Sequence, residues 1–318
     1  LKNMIKQIKK FLNRLVNTIY GSETIDFQTK TIFKYMPGRD YNIESIEKNY
    51  FFFSRLSQVN DPEDCTINPL PDLWGTTKEE IEKKILANAK PQEVDNLKKY
   101  AAKLANDKST QKEYLEQLKP ILQADDDDYK KGFKMLCLTE NYQSIHMWQN
   151  YSRNKKPMDG FCIGYECEIG NPETFVHMHR KNKLKIKLGS VIDSGKNQSS
   201  LCAYEVFYGE DTSIAYNPFK NNKEALLHSY FYKKSKWSPE EEFRILLTDD
   251  QTTNPTLQSI QYEEDKLKIV IFGKNCGSKT RKKILEAIYQ NGNYKNLKFY
   301  EASLICGKIR FKELKHYA

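Results

Sequence analysis

Alternating apolar and charged positions predict a β-strand over residues 242–248. The apolar positions recur at every second residue and are Phe243, Ile245 and Leu247. Glu242 and Arg244 fall on the opposite face, and Glu240 continues their spacing on the N-terminal side. Charged residues at alternate positions are common on the exposed face of an antiparallel sheet. The spacing alone therefore favours a solvated face, and the alternative is an ion-paired functional wall beside Trp237.

The remaining strands and helices are predicted from the spacing at which apolar residues recur along the chain. Two-residue alternation and short apolar segments predict strands over residues 31–35, 50–54, 133–139, 160–165, 203–208, 268–272 and 297–304. The 3.6-residue period predicts helices over residues 1–20, 145–151 and 278–289, with a short helix through Ile43 and Ile46. Together these elements predict the α+β class, with a mixed, mainly antiparallel sheet core, a helical insertion and an N-terminal helix.

The first 20 residues carry an apolar stripe on a basic helix. The apolar positions are Met4, Ile8, Phe11, Leu12, Leu15, Val16 and Ile19. Such a helix docks on a membrane surface or a partner, or it packs on its own domain, and the packed arrangement is favoured. Gly21 and Ser22 predict its end. The chain then divides into an N-terminal amphipathic helix over residues 1–22 and a single α+β domain over residues 23–318.

Residues 77–123 change to a helical pattern and predict an all-α insertion. Thr77 and Glu80 have the spacing of a capping box, and Pro91 interrupts the helical pattern near its middle. We expect two or three antiparallel helices that cover part of the sheet. The acidic run over residues 125–128 predicts a solvated loop rather than a cation site, because consecutive carboxylates do not converge on one point.

Length and composition describe a folded globular protein. The 318 residues are 39% hydrophobic, 12% aromatic and 29% charged, which is enough to bury a full core. No apolar run reaches the roughly 18 to 20 residues that span a bilayer, and no secretory signal is recognisable. The seven cysteines are odd in number and scattered, which favours free thiols in a reducing compartment. We therefore expect a cytoplasmic protein with no transmembrane segment.

The net charge of +9 invites a comparison with nucleic-acid-binding proteins. Those proteins concentrate basic residues on one face or stripe. Here the excess is mostly lysine spread along the chain, and the densest runs cover residues 233–236 and 281–283. Non-specific affinity for anions is expected, and specific nucleic-acid binding stays an alternative.

Motifs for metal or phosphate chemistry are weak in this sequence. Cys162, Cys167, His177 and His179 could suggest zinc, but their spacing is loose and the two thiols would face opposite sides of a strand. No metal site is therefore predicted. The glycine-bearing turn over residues 273–280 lacks the spacing of a phosphate-binding loop. It is either an anion site at a helix N-terminus or, more often, an ordinary connection.

Aromatic residues beside polar ones mark candidate stacking surfaces for a ligand. They lie near the ends of predicted elements and are Tyr35, Phe53, Trp148, Tyr151 and Trp237. A planar ring such as nicotinamide or a base stacks on side chains of this kind. Core packing accounts for most aromatic residues in any domain, so it is the competing explanation.

Seven short blocks, taken in their order along the chain, resemble a bacterial protein family. The blocks are Phe33-Lys34-Tyr35, Tyr50 to Ser54 with Asn60-Asp61-Pro62-Glu63-Asp64, Cys137-Leu138-Thr139-Glu140, Met147-Trp148-x-x-Tyr151, Gly160 to Tyr165, Trp237-x-x-Glu240-x-Glu242-x-Arg244, and Ile271-Phe272-Gly273. Their order is similar to that of the family called domain of unknown function 2971, over about residues 31–305. The resemblance implies a grouping rather than an activity.

The chain order is also distantly similar to ADP-ribosyltransferase folds. Those folds begin with a strand that contacts the cofactor and end with a strand that bears a catalytic glutamate. The similarity implies that NAD is the cofactor and that Tyr35 and Ser54 contact it. It also implies that Trp148 or Tyr151 stacks on the nicotinamide ring.

The same similarity assigns a role to the glutamates of the 242–248 strand. Glu242 or Glu240 would hydrogen-bond a ribose hydroxyl and stabilise the positive charge that develops at the anomeric carbon. The candidate catalytic residues are Glu242, Glu240 and Arg244. The candidate cofactor-binding residues are Tyr35, Ser54, Trp148, Tyr151 and Trp237.

These observations lead to three hypotheses about function. The first is an intracellular protein that acts on a nucleotide, as an NAD-consuming, ADP-ribosyltransferase-like enzyme of toxin or phage-defence type, with nucleic acid or protein as acceptor. The second is a non-enzymatic module that binds nucleic acid or protein in a bacterial defence or stress system. In the third, Glu240, Glu242 and Arg244 form a structural ion-pair network.

Overall fold

A mixed β-sheet forms the centre of the protein. The structure is a computed structural model, and it describes residues 17–59, 61, 64–65, 68–69, 73, 75–151, 156–169, 183–193, 196–209, 215–217, 219, 230–248, 258–291, 294 and 296–315. Its strands are β1 (Thr31–Met36), β2 (Tyr50–Phe52), β3 (Ser54–Arg55), β4 (Asn68–Pro69), β5 (Phe133–Thr139), β6 (Phe161–Glu166), β7 (Glu168–Ile169), β8 (Lys183–Asp193), β9 (Lys196–Glu205), β10 (Phe207–Gly209), β11 (Ala215–Tyr216), β12 (Tyr232–Lys234), β13 (Glu242–Thr248), β14 (Ser259–Gln261), β15 (Leu267–Gly273), β16 (Lys298–Ile305) and β17 (Lys308–Glu313). Its helices are α1 (Asp40–Glu47), α2 (Lys78–Leu86), α3 (Val94–Asn106), α4 (Lys108–Gly132), α5 (Ile145–Asn150) and α6 (Ser278–Asn291).

Within the described residues, eleven of these strands join in one sheet. Ten follow the order β17–β16–β15–β6–β1–β5–β13–β9–β8–β7, and β3 pairs with β5 beside that path. Neighbouring strands are antiparallel except for β15 and β16, which are parallel and are connected through α6. The predicted α+β class, with a mixed and mainly antiparallel sheet, is therefore confirmed.

The sheet is weakly joined between β1 and β5. All six residues of β1 pair with β6. Between β1 and β5 the described residues form one pair, in which Phe33 faces Thr139. On its other side, β5 pairs with β13 over the seven residues from Glu242 to Thr248. The sheet therefore consists of two well-paired halves with a thin connection between them.

Apolar side chains cover both faces of the sheet. One face packs against α1 and α6, and its core includes Ile32, Leu136, Phe243, Ile245, Leu247, Val270 and Ile284. The opposite face packs against α5, and its core includes Phe33, Tyr35, Met147, Trp148, Cys162 and Ile271. Neighbouring residues of one strand, such as Ile32 and Phe33, belong to different cores because side chains alternate between the faces.

Two predicted strands are each divided in the structure. Phe53 separates β2 from β3, and Val206 separates β9 from β10. β2 pairs with β14 whereas β3 pairs with β5, so the chain changes its pairing partner at Phe53. At the other break, the N–H of Val206 donates to the carbonyl of Glu242 at 2.9 Å. The alternation of side chains continues across such a break, and the period therefore does not predict it.

The helical insertion forms as predicted and extends further along the chain. Thr77 caps α2: its hydroxyl accepts from the N–H of Glu80 at 3.2 Å, and the carboxylate of Glu80 accepts from the N–H of Thr77 at 2.8 Å. The core beside these helices is Leu73, Ile81, Ala101, Leu104, Leu115 and Phe219. The predicted loop over residues 125–128 is wrong, because α4 continues through them to Gly132. Each residue added to a helix gains a backbone hydrogen bond, which outweighs the modest helix propensity of Asp.

The N-terminal helix lies largely outside the described residues. Residues 17–20 are helical, and the helix ends at Gly21, as predicted. The N–H of Gly21 donates to the carbonyl of Asn17 at 2.9 Å, and its φ of 86° is the left-handed conformation typical of the residue after a helix. None of the described helices is both long enough and apolar enough to cross a bilayer. The docking role of this helix and the domain division at residue 22 stay predictions.

Candidate functional site

Both faces of β13 are buried. The apolar face lies in the core, as predicted, and holds Phe243, Ile245 and Leu247. On the other face Glu242 is 4% exposed and Arg244 is fully buried. The prediction of a solvated face is therefore wrong. The reason is that Asp64, 180 positions away in the chain, and Tyr230, 14 positions away, cover this face and bind Arg244.

Arg244 is held by a complete set of hydrogen bonds. Its Nε and Nη2 donate to the two carboxylate oxygens of Glu242, at 2.7 and 3.0 Å. Nη1 and Nη2 donate to the two oxygens of Asp64 at 3.0 and 2.6 Å, and Nη1 also donates to the carbonyl of Tyr230 at 2.6 Å. A guanidinium group has five N–H donors, and these contacts use all of them. A charge this far from water is tolerated only when it is paired in this way.

Lys233 of β12 joins Glu240 to the same network. Its Nζ lies 2.6 Å from Oε2 of Glu240, 3.2 Å from Oε2 of Glu242 and 3.7 Å from Oδ2 of Asp64. The ring centroid of Trp237 lies 5.0 Å from the same ammonium group, within the range of a cation–π contact. We call these five charged residues the charge network: Asp64, Lys233, Glu240, Glu242 and Arg244.

A left-handed residue separates the two glutamates of the charge network. Glu240 ends a 3₁₀ helix, Ser235–Glu240, and β13 begins at Glu242. Between them Glu241 has a φ of 44° and is exposed, and its carboxylate accepts from the side-chain amide of Asn141 at 2.7 Å. Glu240 therefore does not continue the strand, although its carboxylate still meets that of Glu242 at Lys233.

The two glutamates have opposite pKa shifts. Burial alone would raise the pKa of Glu242, but the charges of Arg244 and Lys233 outweigh it and hold the pKa at about 2. Burial raises the pKa of Glu240, Lys233 offsets only part of that rise, and the charge of Glu242 adds to it. Two neighbouring carboxylates whose pKa values are pushed apart suit acid–base chemistry, because one stays ionised while the other exchanges a proton.

A small cavity lies between β1 and β5, next to the charge network. Its volume is about 40 Å³. Its polar wall is formed by Lys34, Tyr35, Thr139, Tyr151, Glu240 and Glu242. The structure therefore brings four of the predicted site residues to one space. A cavity of this size holds about three water-sized groups, whereas a pocket for a whole small-molecule ligand measures roughly 300–1,000 Å³.

Tyr35, Trp148 and Tyr151 form one aromatic cluster beside this cavity. The ring centroid of Tyr35 lies 5.0 Å from that of Trp148 and 6.4 Å from that of Tyr151. The hydroxyl of Tyr35 donates to the carbonyl of Asn141 at 2.9 Å, and Nε1 of Trp148 donates to that of Tyr142 at 3.1 Å. Tyr35 and Tyr151 line the cavity, whereas Trp148 packs behind them. Burial raises the pKa of Tyr151, so its phenol stays protonated and can donate.

The other two predicted cofactor-binding residues, Ser54 and Trp237, do not line the cavity. Ser54 faces Met135 across the β3–β5 pair. The ring of Trp237 lies 5.7 Å from that of His146, whose Nε2 is 3.9 Å from Oε1 of Glu240. Burial and the nearby lysine ammonium lower the pKa of His146, so it is neutral near pH 7. Trp237 and His146 therefore lie beside Glu240 and outside the cavity.

Five further residues of the site are given no role by the sequence patterns, although three of them belong to the motif blocks. They are Lys34, Asp64, Cys137, His146 and Lys233. Asp64 ends an acidic turn that the sequence marks only as a turn, and Lys233 belongs to a basic run. Lys34 has a usable signal, because a lysine between two aromatic residues of a predicted strand needs an explanation.

The residues considered for zinc do not assemble in the described part of the chain. Cys162 and Cys167 are buried free thiols. His177 and His179 lie outside the described residues. Among those residues, no group of three or more metal-ligating side chains is arranged to hold an ion.

The backbone donors of the turn before α6 bind carbonyl groups of the protein. The backbone N–H groups of residues 273–276 donate to the carbonyls of Gly160, Ala302, Met158 and Gly273 in turn, at 2.8 to 3.0 Å. These four N–H groups are therefore not available to an anion. The N–H groups of residues 278–280, which begin α6, are not among them, so the anion site at this helix N-terminus stays a prediction.

Comparisons of the chain with models of protein families, with curated proteins and with solved structures return no match. The resemblance to domain of unknown function 2971 and the distant similarity to ADP-ribosyltransferases therefore stay predictions. Any statement about activity depends on the geometry of the charge network and its cavity.

Proposed function

We propose that the protein is an enzyme that acts at the glycosidic bond of a nucleotide such as NAD, with ADP-ribosyltransferase-like chemistry. The observation that carries this proposal is the shared cavity, because Tyr35, Tyr151, Glu240 and Glu242 line one space. Carboxylates beside a glycosidic bond stabilise the cation that forms at the anomeric carbon, and phenols orient the substrate through hydrogen bonds. An enzyme of this kind fits the expected toxin or phage-defence role.

Glu240, rather than Glu242, is the carboxylate proposed to contact the substrate. Both oxygens of Glu242 already accept hydrogen bonds from Arg244. Glu240 accepts from Lys233 through Oε2, while its Oε1 lies 3.9 Å from His146. Oε1 of Glu240 can therefore accept from a ribose hydroxyl or from an attacking water. Glu242, Lys233 and Arg244 act as positioning residues that hold Glu240 and set the local potential.

The proposed reaction breaks the C–N bond between the anomeric carbon and nicotinamide. The bonding electron pair leaves with the ring nitrogen, which becomes neutral, and the positive charge develops on the sugar. Water or an acceptor group then bonds to the anomeric carbon, and its proton passes to the carboxylate of Glu240. A carboxylate whose pKa is raised is better suited to accept that proton near neutral pH than an ordinary one.

Substrate binding needs more space than the cavity of about 40 Å³ offers. The single pair between Phe33 and Thr139 is the thinnest connection in the described sheet. Opening the sheet between β1 and β5 would therefore break few hydrogen bonds, and it would enlarge the cavity beside Glu240. We propose that the nicotinamide riboside part of the substrate enters there.

Nicotinamide release from NAD tests this proposal. Glu240→Gln should lower the rate by about 100-fold or more, because general acid–base groups typically contribute factors of about 10² to 10⁴. Glu241→Gln is the matched control, since Glu241 is the exposed neighbour in the chain, and its rate should equal that of the wild type. Equal release from the wild type and Glu240→Gln, or none from a folded wild type, would overturn the proposal.

A purely structural charge network is the competing hypothesis. The observation that favours it is that Arg244 is fully buried with every donor satisfied. The protein would then be a non-enzymatic module that binds nucleic acid or protein through its net charge of +9. Retention on a polyanion column at physiological salt, without any turnover of NAD, would support this module. Early elution would contradict its nucleic-acid form.

A further inference from the structure

Lys34 is an amine that lines the cavity and that the proposed reaction does not use. It lies in the middle of β1, and its side chain reaches across the gap to β5. There Nζ donates to the carbonyl of Cys137 at 3.4 Å, which is a long contact. Among the described residues this is its one hydrogen bond, and no carboxylate oxygen lies within 4 Å of Nζ. Lys233, by comparison, lies 2.6 Å from a carboxylate.

The surroundings of Lys34 lower the pKa of its amine, which increases the neutral fraction at a given pH. Burial lowers the pKa of Lys34, and the negative charge of Glu242 offsets only part of that effect. A neutral amine has a free electron pair, whereas an ammonium group has none. Lysines that are desolvated without a close counter-ion are the ones that act as nucleophiles toward carbonyl carbons.

We propose that Lys34 is a carbonyl-reactive amine and that the cavity between β1 and β5 takes a small aldehyde or ketone, which Lys34 binds as an imine. Three observations point to this assignment together. Nζ of Lys34 has no carboxylate oxygen within 4 Å among the described residues, the side chain lines the small cavity, and Tyr151 and Glu240 line the same cavity. The volume of about 40 Å³ suits a carbonyl compound of two or three carbons.

The chemistry requires only the amine, the carbonyl compound and a proton donor and acceptor. The electron pair of Nζ forms a bond to the carbonyl carbon, and the oxygen takes up a proton to give a carbinolamine. The hydroxyl group then leaves as water with a second proton, and nitrogen gives up its protons as the C=N bond forms. Tyr151 can donate and Glu240 can accept in these transfers, because both line the cavity. Amine and carbonyl are thus converted to imine and water, without an oxidant or reductant.

Reductive trapping tests this inference without NAD, so its outcome is independent of the proposed function. The full chain is incubated near pH 7 with glycolaldehyde, a two-carbon aldehyde, and cyanoborohydride, which reduces the imine to a stable amine. Mass spectrometry of peptides then gives the labelling rate at each lysine. Lys34 should be labelled severalfold faster than Lys282, whose side chain is 77% exposed, because the lowered pKa of Lys34 leaves a larger fraction of neutral amine. Lys233, which is ion-paired, should react more slowly than either.

Two outcomes would overturn the inference. The first is that Lys34 is labelled no faster than Lys282. An aldehyde that cannot enter the cavity would give this result too, and it would also overturn the inference. The second is an unchanged fast adduct in Lys34→Arg, which keeps the positive charge but cannot form an imine. The primary measurement uses the wild-type protein, so it does not depend on whether a variant folds.

Discussion

The two faces of β13 are equally buried, yet one is apolar and the other is ionic. The apolar face holds Phe243, Ile245 and Leu247. The ionic face holds Glu242 and Arg244, which are closed in by Asp64 and Lys233. Burying an apolar side chain stabilises a protein by roughly 1.5–3 kcal/mol, whereas a buried ion pair often does no better than apolar residues of the same volume. Stability alone therefore does not explain why this face carries charges, and this difference directs attention to function.

Removing Arg244, the central cation of the charge network, should have the largest effect on the free energy of unfolding. Arg244→Met leaves the carboxylates of Asp64 and Glu242 buried without their main counter-ion, which should cost about 3–5 kcal/mol of unfolding free energy. Urea unfolding followed by circular dichroism measures it. Combining Arg244→Met with Asp64→Asn and Glu242→Gln should recover part of the loss, because no unpaired charge then remains. A loss under about 1 kcal/mol, as for a surface pair, would contradict the buried network.

Acid should weaken the ionic face and leave the apolar face unchanged. The folded-state pKa of Glu242 is about 2, below the unfolded value of about 4.3. The contribution of ionised Glu242 to the stability of the fold is therefore fully present above the unfolded pKa. This contribution is lost as the pH falls from about 5 to about 2. The loss is on the order of 3 kcal/mol. Glu240 acts in the opposite direction, since its raised pKa makes its protonation in the folded state favourable.

Urea unfolding at several pH values between 2 and 7 measures this dependence. Glu242→Gln should flatten it, because Gln carries no titrating group. Glu240→Gln should instead make the loss of stability on acidification steeper, because it removes the group that offsets the loss. An unchanged profile in Glu242→Gln would show that other carboxylates cause the acid sensitivity.

Trimming the apolar face should have the smallest effect of the three. Ile245→Val removes one methylene group from a fully packed position, and such changes typically cost about 0.5–1.5 kcal/mol. The cost should be the same at pH 7 and pH 4, because no charge is involved. The same urea assay measures both values. A cost that depends on pH would mean that the two faces of β13 are coupled, and a separate treatment of the faces would then be wrong.

The sequence predicts one face of β13 well and the other poorly, and the reason is physical. Apolar alternation predicts the bounds of β13 and its core face, and the same local signals predict the cap at Thr77 and the helix end at Gly21. Glu242 is a local partner of Arg244, but Asp64, which covers the guanidinium group from the other side, lies 180 positions away. A period reports which residues share a face, but it does not report what covers that face. For this reason, buried and solvated charges have the same pattern.

The candidate site shows the same limit. Tyr35, Tyr151 and the two glutamates converge on one cavity, as a shared site requires. Ser54 does not join them, because the chain changes its pairing partner at Phe53 and β3 lies across from Met135. Such a change of partner leaves the alternation intact, so the order of motifs along the chain cannot reveal it.

The complete set of hydrogen bonds on Arg244 also limits how this sequence can evolve. A single substitution at Asp64, Glu242 or Arg244 leaves a buried charge without one of its partners. Selection for folding removes such variants. In sequences that descend from this one, these three positions should change together or stay fixed. Glu241, which is exposed beside them, is free to drift. The charge network is thus inherited as a unit.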